Sequence, residues 1–236
     1  MLKLESISVQ FGGLTALKQV TLAIGAEDVV GLVGPNGAGK TTLFNVISGL
    51  ARPSSGEVFF NGADVLRTPI YKRARMGIGR TFQIPQPMHE LTVRQNLQVA
   101  QRFGTGRVDH GKIDEILAFL KLSHKADRDA ARDLSLSELK ALEVGKALAT
   151  DPQLLLLDEV LAGLETASKR SFMKTLTELH QAFRIAILII EHDIETISSL
   201  CPRVCVLNYG QLIADGTPQE VFANPEVVKS YTGGGQ

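Results

Sequence analysis

The stretch Val29-Val30-Gly31-Leu32-Val33-Gly34-Pro35-Asn36-Gly37-Ala38-Gly39-Lys40-Thr41 decides the reading of this chain. A short apolar run ends in a glycine-rich turn, and Lys40 to Leu50 continues at helical spacing, so the order is strand, loop, helix. Within it, Gly34 to Thr41 matches the spacing GxxxxGK(S/T) in the setting that this motif requires. The glycines let successive N–H groups converge on phosphate oxygens, and the helix N-terminus adds partial positive charge. Lys40 can reach terminal phosphates, and the Thr41 hydroxyl can ligate Mg²⁺. Gly34, Pro35, Asn36, Gly37, Ala38, Gly39, Lys40 and Thr41, with Thr42 beside them, are the candidate phosphate-binding residues. The plainer alternative, a tight turn with a solvated lysine, leaves the strand and helix on either side unexplained.

A phosphate loop needs an acidic partner for its metal. Leu154-Leu155-Leu156-Leu157-Asp158-Glu159 supplies one, because four apolar residues bury a strand and leave Asp158 at its C-terminal edge, where α/β sheets bind ligands. Asp158 fits the Mg²⁺ role. Glu159 fits the orientation or deprotonation of an attacking water, in a reaction that depends mainly on positioning and charge stabilisation. A third apolar run, Ile185 to Ile190, ends in Glu191-His192-Asp193 and brings His192 to the same kind of edge. A lone histidine there is usually a solvated loop residue, but two site motifs on other strands favour donation to a terminal phosphate.

The rest of the chain is consistent with an α/β fold. Residues 2 to 10 and Val20 to Ile24 read as antiparallel, half-exposed strands about the Gly12-Gly13 turn, and Glu57 to Phe60 as another edge strand. From about residue 69 to 150 the apolar residues recur at helical spacing, which predicts a mostly helical insertion within one domain spanning residues 1–236. Helices over Ser137 to Thr150, Ala167 to Phe183 and Ile194 to Leu200 then alternate with the two apolar strands, the pattern of a parallel sheet. A hairpin (Val204 to Leu207, Gln211 to Ala214), a short helix from Pro218 and a frayed Gly233 to Gln236 complete the reading.

Composition excludes several classes. Twenty-five Lys and Arg balance 25 Asp and Glu, with a pI near 7.0, so there is no electrostatic footprint for nucleic acid or an anionic membrane surface. The apolar runs fall far short of the roughly 20 residues of a spanning helix. MLKLESISVQ carries no secretory pattern. Cys201 and Cys205 lack the further Cys or His of a zinc set and read as reduced thiols in a cytoplasmic chain.

The order of motifs resembles the ATP-binding subunit of ABC transporters over nearly the whole chain: the phosphate loop, Gly79-Arg80-Thr81-Phe82-Gln83, Leu134-Ser135-Leu136-Ser137-Glu138, Leu157-Asp158-Glu159 and Glu191-His192-Asp193. More narrowly, Ala74 to Gln83 and Pro225 to Tyr231 look like the branched-chain amino acid importer ATPases and their urea and amide relatives. The resemblance implies a P-loop NTPase (RecA-like) core with an antiparallel β edge and an inserted helical subdomain. It also implies ATP and Mg²⁺ as cofactors, an integral membrane permease as partner, and a peripheral position on the inner face of the cell membrane. Phe11 matches the aromatic residue that stacks on adenine. Gln83 matches the glutamine that senses Mg²⁺ and contacts the permease, and His192 the switch histidine. Residues 83 to 91 would form the groove for a coupling helix. The catalytic set is then Glu159, His192 and Gln83, the metal set Thr41, Gln83 and Asp158, and Ser135 and Ser137 reach the nucleotide of an opposing subunit.

That family works as a head-to-tail dimer in which each signature loop, usually LSGGQ, covers the other subunit's ATP. Here Leu136 and Ser137 stand for the glycines and Glu138 for the glutamine. Side chains crowd the approach of backbone N–H to phosphate. A carboxylate about 8 Å from a polyanion costs roughly 2 kcal/mol per charge pair at an effective dielectric near 20. Val160 replaces the usual proline after the glutamate, and Glu165 the usual Asp or Asn of the cross-dimer loop. Parts that serve this chain's own ATP are intact and parts that serve the partner's are altered, which favours a heterodimer over a homodimer. The expectation is an ATPase driving import of a branched-chain amino acid or similar small polar solute. The competing readings are a mainly regulatory nucleotide-binding subunit and a soluble ABC ATPase outside transport.

Overall fold

The structure, a computed structural model, describes residues 1–232. In chain order it has β1 (Leu2–Phe11), β2 (Leu14–Ile24), β3 (Val29–Val33), α1 (Lys40–Ser48), β4 (Ser55–Phe60), β5 (Ala63–Asp64) and α2 (Ile70–Arg75). There follow β6 (Ile78–Arg80), α3 (Val93–Thr105), α4 (His110–Phe119), α5 (Leu136–Ala149), β7 (Leu154–Asp158) and α6 (Thr166–Phe183). The chain ends with β8 (Ala186–Ile190), α7 (Ile194–Leu200), β9 (Arg203–Asn208), β10 (Gln211–Gly216), α8 (Pro218–Ala223) and α9 (Pro225–Thr232). Two compact units result, one from residues 1–73 with the chain from 186 onward, the other from residues 74–185.

The first unit contains an antiparallel sheet in the order β2-β1-β4-β5. In β1 the buried residues are Leu2, Leu4, Ile7 and Val9, so strict alternation slips by one residue between Leu4 and Ile7. The slip is absorbed by an irregularity: Leu4 pairs with Leu22 but Ile7 with Val20, and Ser6 takes φ 49°. Such a bulge keeps both halves of the strand facing the core. Beside this sheet's strands in the same unit, β3 lies between β8 and β9, parallel to both, with β10 antiparallel to β9. All five residues of β3 and of β8 are buried, as expected for strands covered on both faces. A Cβ on Gly31 would lie 2.8 Å from the Ile197 side chain, so glycine there lets α7 pack directly on β3.

In the second unit β6 runs parallel to β7, with Ile78 opposite Leu154 and Arg80 opposite Leu156. Helices α3, α4 and α5 bury Leu97, Ile113, Ile116, Leu117 and Leu142. A Cβ on Gly145 would come within 2.9 Å of Leu120 and 3.0 Å of Leu97, so the lack of a side chain brings α5 close to its neighbours. Thr92 and Ser135 start α3 and α5 with reciprocal capping boxes to Gln95 and Glu138.

The parallel core and antiparallel edge agree with the sequence reading, with local differences. β2 begins at Leu14 rather than Val20, because cross-strand pairing with β1 holds Leu14 to Leu17 extended. β6 interrupts the helical segment; Ile78-Gly79-Arg80 has too few residues for a period, and its pairing with β7 alone makes it a strand. The C-terminal helix is two helices, parted at Asn224-Pro225. The frayed end expected at Gly233 to Gln236 lies outside the described residues. Cys201 and Cys205 are buried free thiols, and burial pushes the Cys201 thiol up to about 12. Among the described residues no helix is long and apolar enough to cross a membrane.

Candidate functional site

In the first unit the glycine-rich loop joins β3 to α1. Gly34, Gly37 and Gly39 have φ of 148°, 79° and 105°. A Cβ on Gly34 would sit 2.1 Å from the Leu207 carbonyl oxygen, and one on Gly39 would sit 2.6 Å from that of Ala16, so only glycine fits either place. The loop is tied to its surroundings by the Gly210 amide, which donates to the Ala38 carbonyl at 2.9 Å, and by Lys18, whose amide donates to Gly210 at 2.8 Å. Lys40 is buried, and its Nζ donates to the carbonyls of Gly34 at 2.6 Å and Pro35 at 2.9 Å. A cation thus sits over its own loop at the N-terminus of α1, an arrangement suited to polyphosphate. Thr41 is exposed at that terminus and Thr42 is half-buried.

Phe11, where β1 turns, is 56% exposed, so it is no core aromatic. His192 is exposed just beyond β8, on the segment that Asp193 ends by capping α7. Tyr231, from α9, was not singled out as a site residue from sequence. Its hydroxyl meets the Gly34 backbone, while burial pushes the phenol up to about 12.

In the second unit β7 delivers Asp158, buried, to its C-terminal end. Its amide donates to Thr81 Oγ1 at 3.1 Å, and the Thr81 amide donates to the Leu156 carbonyl at 2.9 Å, which fixes the end of β7 against the segment after β6. The Asp158 carboxylate meets Arg80, whose guanidinium lies 3.4 Å from Oδ2 and 5.0 Å from the centre of the Phe82 ring. Glu159 has φ 51°, a left-handed backbone rarely adopted by a residue with a side chain, and Lys140 Nζ donates to its carbonyl at 2.8 Å. Its carboxylate accepts a 2.6 Å hydrogen bond from Gln83 Nε2, so two residues far apart in sequence meet directly.

The signature segment begins α5. Ser135 is its N-cap, with its Oγ 3.2 Å from that of Ser137. The open carboxylate expected at Glu138 is not found. Glu138 Oε2 accepts from Lys125 Nζ, from the Ser135 amide and from the Ser135 hydroxyl, each at 2.8 Å, so its charge is compensated within this unit. Leu136, in contrast, is 47% exposed. Val160 is buried, and Glu165 stands before α6 without a side-chain capping bond, since its longer chain does not fold back as Asp or Asn does.

The structure therefore joins Gln83 to Glu159, and Ser135 to Ser137 and Glu138. The sequence reading missed Arg80, Lys140 and Tyr231 as site residues. Arg80 could have been found, because it stands inside the Gly79-to-Gln83 motif; the contacts of Lys140 and Tyr231 have no local signal.

Comparison with known proteins extends these observations. A family model described as ABC transporter matches residues 17–162, and one described as branched-chain amino acid ATP-binding cassette transporter matches residues 211–236. The chain is 36% identical to a probable branched-chain amino acid transport ATP-binding protein of Archaeoglobus fulgidus, spanning 99% of this chain and 95% of that protein. It is 33% identical to a high-affinity branched-chain amino acid transport ATP-binding protein of Escherichia coli, spanning 99% and 98%. It is similar in structure to the ADP conformation of an ATP-binding cassette of an ABC transporter, with a TM-score of 0.88, 34% identity and coverage of 99% and 98%.

Proposed function

We propose, from the premise that this chain belongs to the ABC transporter family as an ATP-binding ATPase, that it powers an importer for branched-chain amino acids or similar small polar solutes. It would work on the inner face of the membrane through an integral permease. The observation that carries the reading is the Gln83–Glu159 hydrogen bond. It ties the loop that the family resemblance places at the permease to the carboxylate that the same resemblance places at the attacking water.

The roles follow from the chemistry of each group. Backbone N–H groups of Gly34 to Thr41 and the Lys40 ammonium neutralise the phosphates, and Phe11 stacks on the adenine. Mg²⁺ would be held by the Thr41 hydroxyl, Asp158 and Gln83. A hydroxyl, a carboxylate and a side-chain amide are the kind of oxygen donors that Mg²⁺ takes together with phosphates. When bound, the ion supplies charge neutralisation at the phosphate oxygens. Glu159, held in position by Lys140 and Gln83, orients the water and takes its proton, and His192 donates to the terminal phosphate.

The permease would act on turnover through Gln83, since moving Gln83 frees or fixes the Glu159 carboxylate. Gln83→Ala should leave metal-free ATP affinity within about threefold and remove the stimulation of hydrolysis by the permease, with Glu159→Gln as the inactive blank. Unchanged stimulation in Gln83→Ala would overturn this coupling, and failure to co-purify with any membrane protein would overturn the transport reading.

A further inference from the structure

We propose that Arg80 is a positioning residue that holds Asp158 and offsets its charge when no metal is present, and thereby sets how strongly nucleotide binding depends on Mg²⁺. The inference rests on the reading of Asp158 as a metal ligand. Both side chains are almost wholly buried, at 6% and 7% exposed, so their 3.4 Å contact is little screened by water. The two opposite charges, held in contact away from water, offset one another in part.

The geometry fixes which oxygen is engaged. Arg80 approaches Oδ2 with its Nη2, and its guanidinium carbon lies over the Phe82 ring, two residues on. Thr81, between them, holds the Asp158 amide. Arg80 thus holds the carboxylate, Thr81 the backbone of the same residue, and Phe82 the guanidinium. A metal ion at Asp158 meets a like charge in Arg80, which weakens its binding. A metal-free polyphosphate near Asp158 meets a neutralised carboxylate instead of a bare one, which strengthens its binding. Both effects reduce the gap between the two nucleotide affinities.

The test is the Kd of a fluorescent, slowly hydrolysed ATP analogue on the full chain, measured in excess EDTA and in excess Mg²⁺, with the Kd in EDTA divided by the Kd in Mg²⁺ as the readout. Arg80→Met should raise that ratio at least fivefold, and Arg80→Gln should do the same while still donating one hydrogen bond to Oδ2. Arg80→Lys keeps the charge and should stay within twofold of the parent. General damage to the fold weakens both affinities together and leaves the ratio where it was. A ratio unchanged or lowered in both neutral variants overturns the proposal, and Arg80→Gln decides it if Arg80→Met is insoluble. Asp158→Asn tests the underlying reading separately: its ratio should fall toward one, and a ratio equal to the parent's would remove Asp158 from the metal site and the proposal with it.

Discussion

Glu138 takes part in two interactions at once: it completes the capping box of α5 and it pairs with Lys125 at 2.8 Å. Burial alone would raise its carboxyl, but the Lys125 ammonium and the two Ser135 donors outweigh that and hold it at about 2, against an ordinary 4.5. A carboxyl depressed in the folded state stabilises above its unfolded value, and that contribution fades as pH falls from about 4.5 toward 2. Glu138→Gln should therefore cost about 0.5–1 kcal/mol at pH 7, the scale of a partly exposed ion pair. Urea unfolding of the two chains between pH 7 and pH 3 should show that difference shrinking below pH 4.5; a difference constant across the range would exclude this account. The phosphate loop, Asp158 and Glu159 were legible in sequence because each is a contiguous motif next to an apolar strand. Arg80 stood inside a legible motif, but its contact did not show there, since it is made with a carboxylate 78 residues away. The charge on Glu138 was legible but its compensation was not, because Lys125 belongs to another segment.

At the scale of elements, the N-terminus of α1 is the phosphate loop and its C-terminus is held by Arg73. That guanidinium is buried, and its Nη1 donates to the carbonyls of Val46 at 2.7 Å and Ile47 at 2.8 Å, in the last turn of the helix. Its Nε donates to Thr68 and its Nη2 to Val65, which bind the segment between β5 and α2 to the same helix end. A cation there also suits the helix dipole. Burial lowers the guanidinium to about 10 and Asp64 opposes the shift, so it stays charged at pH 7. An ammonium has three donors at one point and cannot reach this spread of carbonyls. Arg73→Lys should therefore cost about 2–3 kcal/mol in urea unfolding, from carbonyls left buried without donors. A loss below about 1 kcal/mol would show that water replaces the guanidinium. Sequence pattern reached most elements of both units, because buried parallel strands announce themselves as apolar runs. It missed β6 and the early part of β2, where pairing with a neighbour rather than residue type decides the conformation.

For the whole molecule, the intact and altered parts divide by whose nucleotide they serve. Loop geometry around Lys40, the paired Gln83 and Glu159 and the placed Asp158 all belong to the set that the resemblance gives to this chain's own ATP. The set given to an opposing subunit's ATP has lost its glycines: Leu136 is exposed at the start of α5, and the Ser135 hydroxyl donates to Glu138. Compensation of Glu138 removes the charge penalty but not the steric one. On that expectation the remaining obstacle would be bulk at Leu136 and Ser137, which a change of pH or salt would not relieve. A heterodimer with a cassette of ordinary signature, assembled with the permease, would have one complete site, built on this chain's Glu159, and one impaired site, built on the partner's equivalent glutamate. Replacing Glu159 with Gln should thus remove nearly all turnover, at least twentyfold, whereas the same change in the partner should cost less than about threefold. Single-turnover and steady-state hydrolysis of the two mixed assemblies measure this directly. Equal losses would mean that the leucine and serine are tolerated, and that both sites fire.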